Sequence, residues 1–369
     1  MVSYAQPEIV LPNQAGRKNT MSIITVVGAG MMGSAMSFPA RDNGHEVRLV
    51  GIHNRETIES IRSSGYHPTL KRQLPDGVKA YHLDGLAEAL EGADVILCGV
   101  SSFGIEWFEE NIVPLVPEGI PVLSITKGLE KDADGNLAPF PTGITNRALA
   151  RGQKICFNAV GGPVTSYELA DRQQTHICFC GTDMEVLKKL KGVFSTDYYH
   201  ISLTTDIAGL ETAVAMKNAY ALGVSLAVGI NNIQYGKDGM QHYNPQAALF
   251  EQGVREAGKI IRYMGGMQET AMFFAGDLYV TIFGGRTRLL GTLLGEGKTF
   301  TEAKEMLSGI TLESVAIATR VAEAVRQMEG QGRLNGEDFP LLMHVDDIIS
   351  HGASLAIPWE KFETVIEKQ

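Results

Sequence analysis

Residues 22–33 read SIITVVGAGMMG, and this stretch decides the fold of the first half of the chain. The run at 22–28 is short, β-branched and without polar alternation, so it suits an inner parallel strand better than a half-exposed one. Gly28, Gly30 and Gly33 then take G-x-G-x-x-G spacing, and the chain continues through 34–38 toward a second apolar run at 47–50. Gly28 turns the chain tightly at the strand end, and Gly30 lets a pyrophosphate approach the backbone. Gly33 lets a helix pack close to the sheet with its N-terminus toward the anion. Framed as strand, loop and helix, the motif predicts a dinucleotide site at Gly28, Gly30, Met31, Met32 and Gly33; the alternative is a purely structural turn.

Working outward, the second strand EVRLVGIHNR at 46–55 lacks the acid that an NAD-binding unit places about 20 residues beyond the glycine loop for the adenosine ribose. Gly51 stands there, followed by Ile52, His53, Asn54 and Arg55. Without the acid, a repulsion that disfavours NADP is gone, and Arg55, with His53, could meet a 2′-phosphate. Both could equally be solvent-facing loop residues, so NAD and NADP stay open. A helix around 86–90 precedes another buried-strand candidate, ADVILCGV at 93–100, which leaves Ser101 and Ser102 beside the expected nicotinamide crevice.

PVLSIT at 121–126 is followed by Lys127, Gly128, Leu129 and Glu130. A cation released from the end of a parallel strand is well placed for a substrate oxygen or phosphate, although taken alone it reads as a surface Lys before a turn. Residues 154–160 lead into Gly161-Gly162-Pro163, after which Glu168 either holds the loop or caps a helix. The alternation of short apolar runs, including HICFC at 176–180, predicts a continuing sheet with helices around it.

The texture changes after about residue 204. Residues 206–230, rich in Ala, Leu, Val and Met, predict a buried helix at the centre of a second domain, with Gly209, Gly223 and Gly229 permitting close helix contacts. Lys217 and Asn218 interrupt that run. A buried cation or amide needs a partner or a wet pocket. A desolvated Lys there could exchange a proton at a carbon-bound oxygen; the alternative is a snorkelling Lys beside a structural Asn. Asp277 is a lone carboxylate among apolar residues at 272–281 and could orient Lys217; Arg286 and Arg288 follow a glycine turn, where Arg286 could grip a phosphate bidentately. Helices are expected at 245–264, 303–307 and 312–328, with another beginning over 341–349. The predicted fold class is α/β: an extension at 1–21, a Rossmann-type dinucleotide-binding domain at 22–203, and a mostly α-helical substrate and catalytic domain at 204–369.

Composition narrows the function classes. A formal charge of −10, from 32 basic and 42 acidic residues, gives no support for nucleic-acid binding. The first 20 residues form neither a signal peptide nor a membrane helix. No later run is long and charge-free enough to demand a bilayer, so a cytoplasmic protein is expected. Cys98, Cys156, Cys178 and Cys180 form no CxxC pair and no His–Cys spacing that makes a metal site; they read as buried free thiols.

Taken in order, GAGMMG, TKGLE at 126–130, GGP at 161–163, ETAVAMKNAYALGVSLAVG at 211–229, GDLYVT at 276–281 and GRTRLLG at 285–291 resemble the NAD(P)-dependent glycerol-3-phosphate dehydrogenases. The resemblance covers nearly the whole chain after residue 22. It implies interconversion of sn-glycerol 3-phosphate and dihydroxyacetone phosphate with NAD or NADP between the two domains, in a homodimer. It also implies Lys217 as principal catalytic lysine and Lys127 as second active-site lysine. Asn218 and Asp277 match adjacent polar positions, and Thr281 and Arg286 match site-lining ones. Two positions depart: Thr287 stands where Asn normally follows the Arg, and Val164 where a small polar residue is common. Thr offers one short hydroxyl in place of an amide, so a related longer polyol phosphate is the second expectation. A nonenzymatic NAD(P)-binding regulator is the third.

Overall fold

In the computed structural model, residues 21–132 and 135–365 are described; the extension expected at 1–21 lies outside them except for Met21. Eight strands form one sheet: β1 (Ile23–Val27), β2 (Glu46–Gly51), β3 (Val78–His82), β4 (Val95–Cys98), β5 (Pro121–Ser124), β6 (Cys156–Gly161), β7 (Thr175–Cys180) and β8 (Tyr199–Thr204). The first six run parallel in the order 3-2-1-4-5-6, the doubly wound arrangement of a dinucleotide-binding sheet. β7 pairs antiparallel to β6, and β8 pairs parallel to β7.

The unbroken apolar runs are explained by burial on both faces. Ile24, Val26, Leu49, Leu97 and Leu123 pack into one core, while Val27, Ile96, Cys98 and Val122 pack into another. Strand order reverses between β1 and β4, so the connections leave in opposite directions and a crevice opens at those strand ends. The glycine loop and Ser101 sit there, with Lys127 following β5.

The second half is helical, as read. Its axis is α3 (Ile207–Tyr235), started by Asp206, whose carboxylate accepts from the Gly209 amide at 2.8 Å. Numbering these helices after α1 (Met31–Ala35) and α2 (Arg55–Ser64), the ones packed on α3 are α4 (Tyr243–Tyr263), α5 (Ala271–Ile282), α6 (Gly285–Gly295), α7 (Glu313–Gly330) and α8 (Pro340–His351). By length and composition α3 resembles a membrane span, with mean hydropathy 1.4 over an 18-residue window, yet 83% of that window is buried. Gly229 and Gly291 let α3 and α6 approach: a methyl on either would strike the other helix. The segment at 272–281, left without secondary structure in the sequence reading, is α5. The four cysteines are free, three of them buried.

α8 opens on Pro340 with no side-chain cap of its own. Glu256 of α4, with no exposed surface, accepts from the Leu341 and Leu342 amides at 2.7 and 3.0 Å. Burial pushes this carboxyl up to about 7, against the pull of those hydrogen bonds. Glu256→Ala would strand two buried donors, so urea unfolding should report a loss of about 2–4 kcal/mol, with Glu256→Gln losing less.

Candidate functional site

The glycine loop is shaped by contacts rather than by flexibility. Gly28 has φ +117°, and a Cβ there would lie 2.5 Å from the Gly99 carbonyl carbon at the end of β4. A Cβ on Gly33 would collide with the Gly28 carbonyl oxygen. Gly30 differs: a methyl there meets nothing nearer than 3.9 Å, so the space above it is open toward the crevice. That open cradle, bordered by Gly28, Ala29, Gly30 and Met31, fits the pyrophosphate of a dinucleotide. Met32 lines the adjoining nicotinamide-side cavity, and Ser101 borders both cavities.

A residue not singled out in the sequence holds this loop. His67 Nε2 lies 3.1 Å from the Ala29 carbonyl oxygen, while the Leu70 amide donates to His67 Nδ1 at 3.1 Å. These partners select the neutral Nε2–H tautomer, and burial lowers the ring's pKa in the same sense. A lone His outside any motif carries no advance signal of such a role.

Beside the end of β2 the cleft is lined by Gly51, Ile52, His53, Asn54 and Thr57. A Cβ on Gly51 would lie 2.3 Å from Ile58 Cγ1 of α2, so any side chain at the position where an acid is expected forces Ile58 to shift. Asn54 caps α2 by accepting from the Thr57 amide at 3.1 Å. Arg55 is exposed on the first turn of α2 and is not part of the cleft lining.

The nicotinamide-side cavity, of about 340 Å³, lies between the sheet's carboxyl edge and the helical half. Lys127, Lys217 and Asn218 line it. Asp277 of α5 has no exposed surface and accepts from both lysines: Lys217 Nζ at 2.6 Å on Oδ1 and Lys127 Nζ at 2.5 Å on Oδ2. Lys127 also donates to the Gly162 carbonyl at 3.2 Å, which ties it to the GGP loop. Burial pushes Lys127 down to about 8, against the opposing pull of Asp277.

Glu211, one and a half turns before Lys217 on α3, was quoted only as part of a motif. It has no exposed surface, and neither carboxyl oxygen has a hydrogen-bond partner among the described residues. Burial pushes it up to about 8, partly offset by Lys127. At neutral pH it is therefore protonated and does not cancel the charge of the neighbouring Lys127. Such a charge favours an oxygen becoming anionic.

The remaining expected residues are placed differently. Thr281 Oγ1 donates to the Asp277 backbone carbonyl at 2.6 Å, Arg286 is exposed at the start of α6, and Thr287 is buried. None of these three lines the cavity, whereas Val164 does. Glu168 lies in the first turn of the short helix Ser166–Ala170 and accepts from Oγ1 of its N-cap residue Thr165 at 2.7 Å. Unanticipated wall residues come from α7: Glu313, which accepts from Ser102 Oγ at 3.1 Å, and Arg320. On an amphipathic helix both read as solvent-facing charge.

Because Gly30 faces open space, Gly30→Ala should keep the wild-type melting temperature yet weaken NAD(P)H binding by about tenfold or more in a fluorescence titration. For Glu211 the folded value lies above the ordinary 4.5, so native stability falls as pH rises from there through about 8. Glu211→Gln removes that loss: its unfolding free energy should match wild type near pH 5 and exceed it increasingly toward pH 8 in parallel urea titrations.

Comparison with known proteins agrees with this geometry. Residues 23–187 match the profile of the NAD-dependent glycerol-3-phosphate dehydrogenase N-terminus, and residues 206–358 match that of its C-terminus. The chain is 34% identical over 288 residues to the NADP(+)-dependent glycerol-3-phosphate dehydrogenase of Archaeoglobus fulgidus, covering 77% of this chain and 83% of that one. It is 28% identical to the Shouchella clausii glycerol-3-phosphate dehydrogenase [NAD(P)+], covering 84% and 88% of the two chains. In fold it matches the crystal structure of glycerol-3-phosphate dehydrogenase from Coxiella burnetii with a TM-score of 0.74 at 24% identity, over 93% and 98% of the two chains. With both halves of the profile matched in order, the chain belongs to the NAD-dependent glycerol-3-phosphate dehydrogenase family.

Proposed function

We infer that the chain interconverts sn-glycerol 3-phosphate and dihydroxyacetone phosphate with NAD or NADP, and that Lys217 moves the proton of the reacting oxygen. The observation carrying this is Asp277, which holds the amines of Lys127 and Lys217 together at a cavity beside the dinucleotide crevice. When bound, the nicotinamide supplies or takes the hydride. The protein supplies position and charge. In the reducing direction the Lys217 ammonium, aimed by Asp277, gives its proton to the ketone oxygen as that oxygen gains negative charge. In the oxidising direction the Lys217 amine takes the proton of the secondary hydroxyl. Lys127 and Asn218 orient the substrate oxygens, and the positive charge of the lysine pair lowers the cost of the alkoxide-like transition state.

Arg286 is proposed to add positive charge near phosphate or cofactor from the rim, with Thr281 and Thr287 beside it. Gly28, Gly30, Met31, Met32, Gly33 and Ser101 are proposed cofactor contacts, and Arg55 a contact to an adenosine 2′-phosphate. A homodimeric cytoplasmic enzyme fits the family resemblance. A longer polyol phosphate is the second reading, motivated by Val164 in the cavity wall. The assembled lysines and the family of enzymes to which the chain belongs speak against a regulator without catalysis.

Lys217→Ala should fold, bind NAD(P)H as wild type does, and lose about 10²–10⁴-fold in turnover. Steady-state rates with both triose and longer polyol phosphates, using NADH and NADPH in parallel, make the measurement. Turnover near wild type would remove Lys217 from the proton step.

A further inference from the structure

We infer that His67 sets the affinity for the dinucleotide, as a positioning residue that acts through the peptide joining Ala29 to Gly30. The inference rests on the glycine loop as the cofactor contact and not on the identity of the substrate. The His67 ring, 1% exposed, is carried by a two-stranded ribbon, Tyr66–His67 against Arg72–Gln73. Several anchors hold that ribbon. Leu70 and Leu74 are buried in the same core as Ile24 and Val26 of β1. Ser60 Oγ of α2 donates to the Tyr66 carbonyl at 2.9 Å, and Arg72 donates to both carboxylate oxygens of Asp171 at 2.6 Å. The Leu70 amide then sets the ring itself by donating to Nδ1, which leaves the Nε2–H for the Ala29 carbonyl at 3.1 Å.

On either side of that carbonyl the loop is held by backbone alone: the Gly28 amide donates to the Val50 carbonyl at 2.9 Å, and the Gly30 carbonyl accepts from the Ser34 amide at 2.9 Å. Between them, Ala29 is held by the ring. A trans peptide is planar, so fixing the Ala29 carbonyl also fixes the Gly30 N–H, which points the opposite way. Both residues border the cradle, where a carbonyl oxygen turned inward would repel a pyrophosphate. The His67 bond stops that rotation before the cofactor arrives, so less order has to be imposed on binding. What the position requires is a donor at one particular reach. Leu would supply none. Gln carries an N–H₂ at the end of a side chain long enough for Ala29, whereas Asn can accept from Leu70 but ends short of the carbonyl.

The test measures NADPH dissociation constants by fluorescence for wild type, His67→Leu, His67→Gln and His67→Asn, each checked for its melting temperature. His67→Leu should bind about 3–30-fold more weakly, with kcat at saturating NADPH within about twofold of wild type. His67→Gln should recover most of the affinity, and His67→Asn should not. Where His67→Leu folds poorly, the comparison of Gln with Asn decides. Wild-type affinity in His67→Leu, equal affinities of the Gln and Asn variants, or a loss confined to kcat would overturn the assignment. Gly30→Ala, measured alongside, separates this inference from the reading of the loop. Wild-type binding in Gly30→Ala removes the loop as the contact and the role of His67 with it. Weakened binding in Gly30→Ala beside full binding in His67→Leu removes His67 alone.

Discussion

Asp277 is a completely buried carboxylate gripped by two ammonium groups that reach it from different halves of the chain, one from the end of β5 and one from the middle of α3. A charge in that position survives only if paired, and each amine is in turn tolerable because the carboxylate is there. The three groups therefore fix one another's position. They also fix the two halves: the Lys127 contact joins the sheet to α5, and the Gly162 carbonyl extends that joint to the loop after β6. The small cavity beside them inherits its shape from this joint.

Around that constraint the sheet contributes direction. Its strand order reverses between β1 and β4, which leaves the crevice open on one edge, and the backbones of Gly28 and Gly99 meet so closely there that no side chain can intrude. The helical half contributes insulation. α3 is surrounded by five packed helices, and the buried Glu211 beside the lysine pair stays uncharged at neutral pH, so the proposed catalytic charge is not cancelled from behind.

Sequence periodicity made much of this legible. The β-branched run before GAGMMG suits an inner parallel strand better than a half-exposed one, and the apolar run interrupted by Lys217 suits a core helix. Asp277 stood out because nothing around it was polar. What remained hidden depends on contacts distant in sequence. The ring of His67 reaches Ala29 across 38 residues, the capping of α8 by Glu256 spans 85 residues, and Arg320 looks like any charge on an amphipathic helix until α7 is packed against the cavity. Arg286 illustrates the converse: a suggestive glycine turn before an Arg leaves it exposed outside the cavity. The segment at 272–281 was not recognised as α5, because its small and aromatic residues give no marked amphipathic face.

The packing of Ile58 against Gly51 bears on how this protein could change its taste in cofactor. Installing a ribose-binding acid at the end of β2 would drive a side chain into the flank of α2, so that single replacement meets sterics before any electrostatics apply. A side chain at that position requires Ile58 to move or shrink, and a smaller residue at 58 leaves a hole in the core. The end of β2 is therefore kept free of side chains by a hydrophobic contact rather than by a charge.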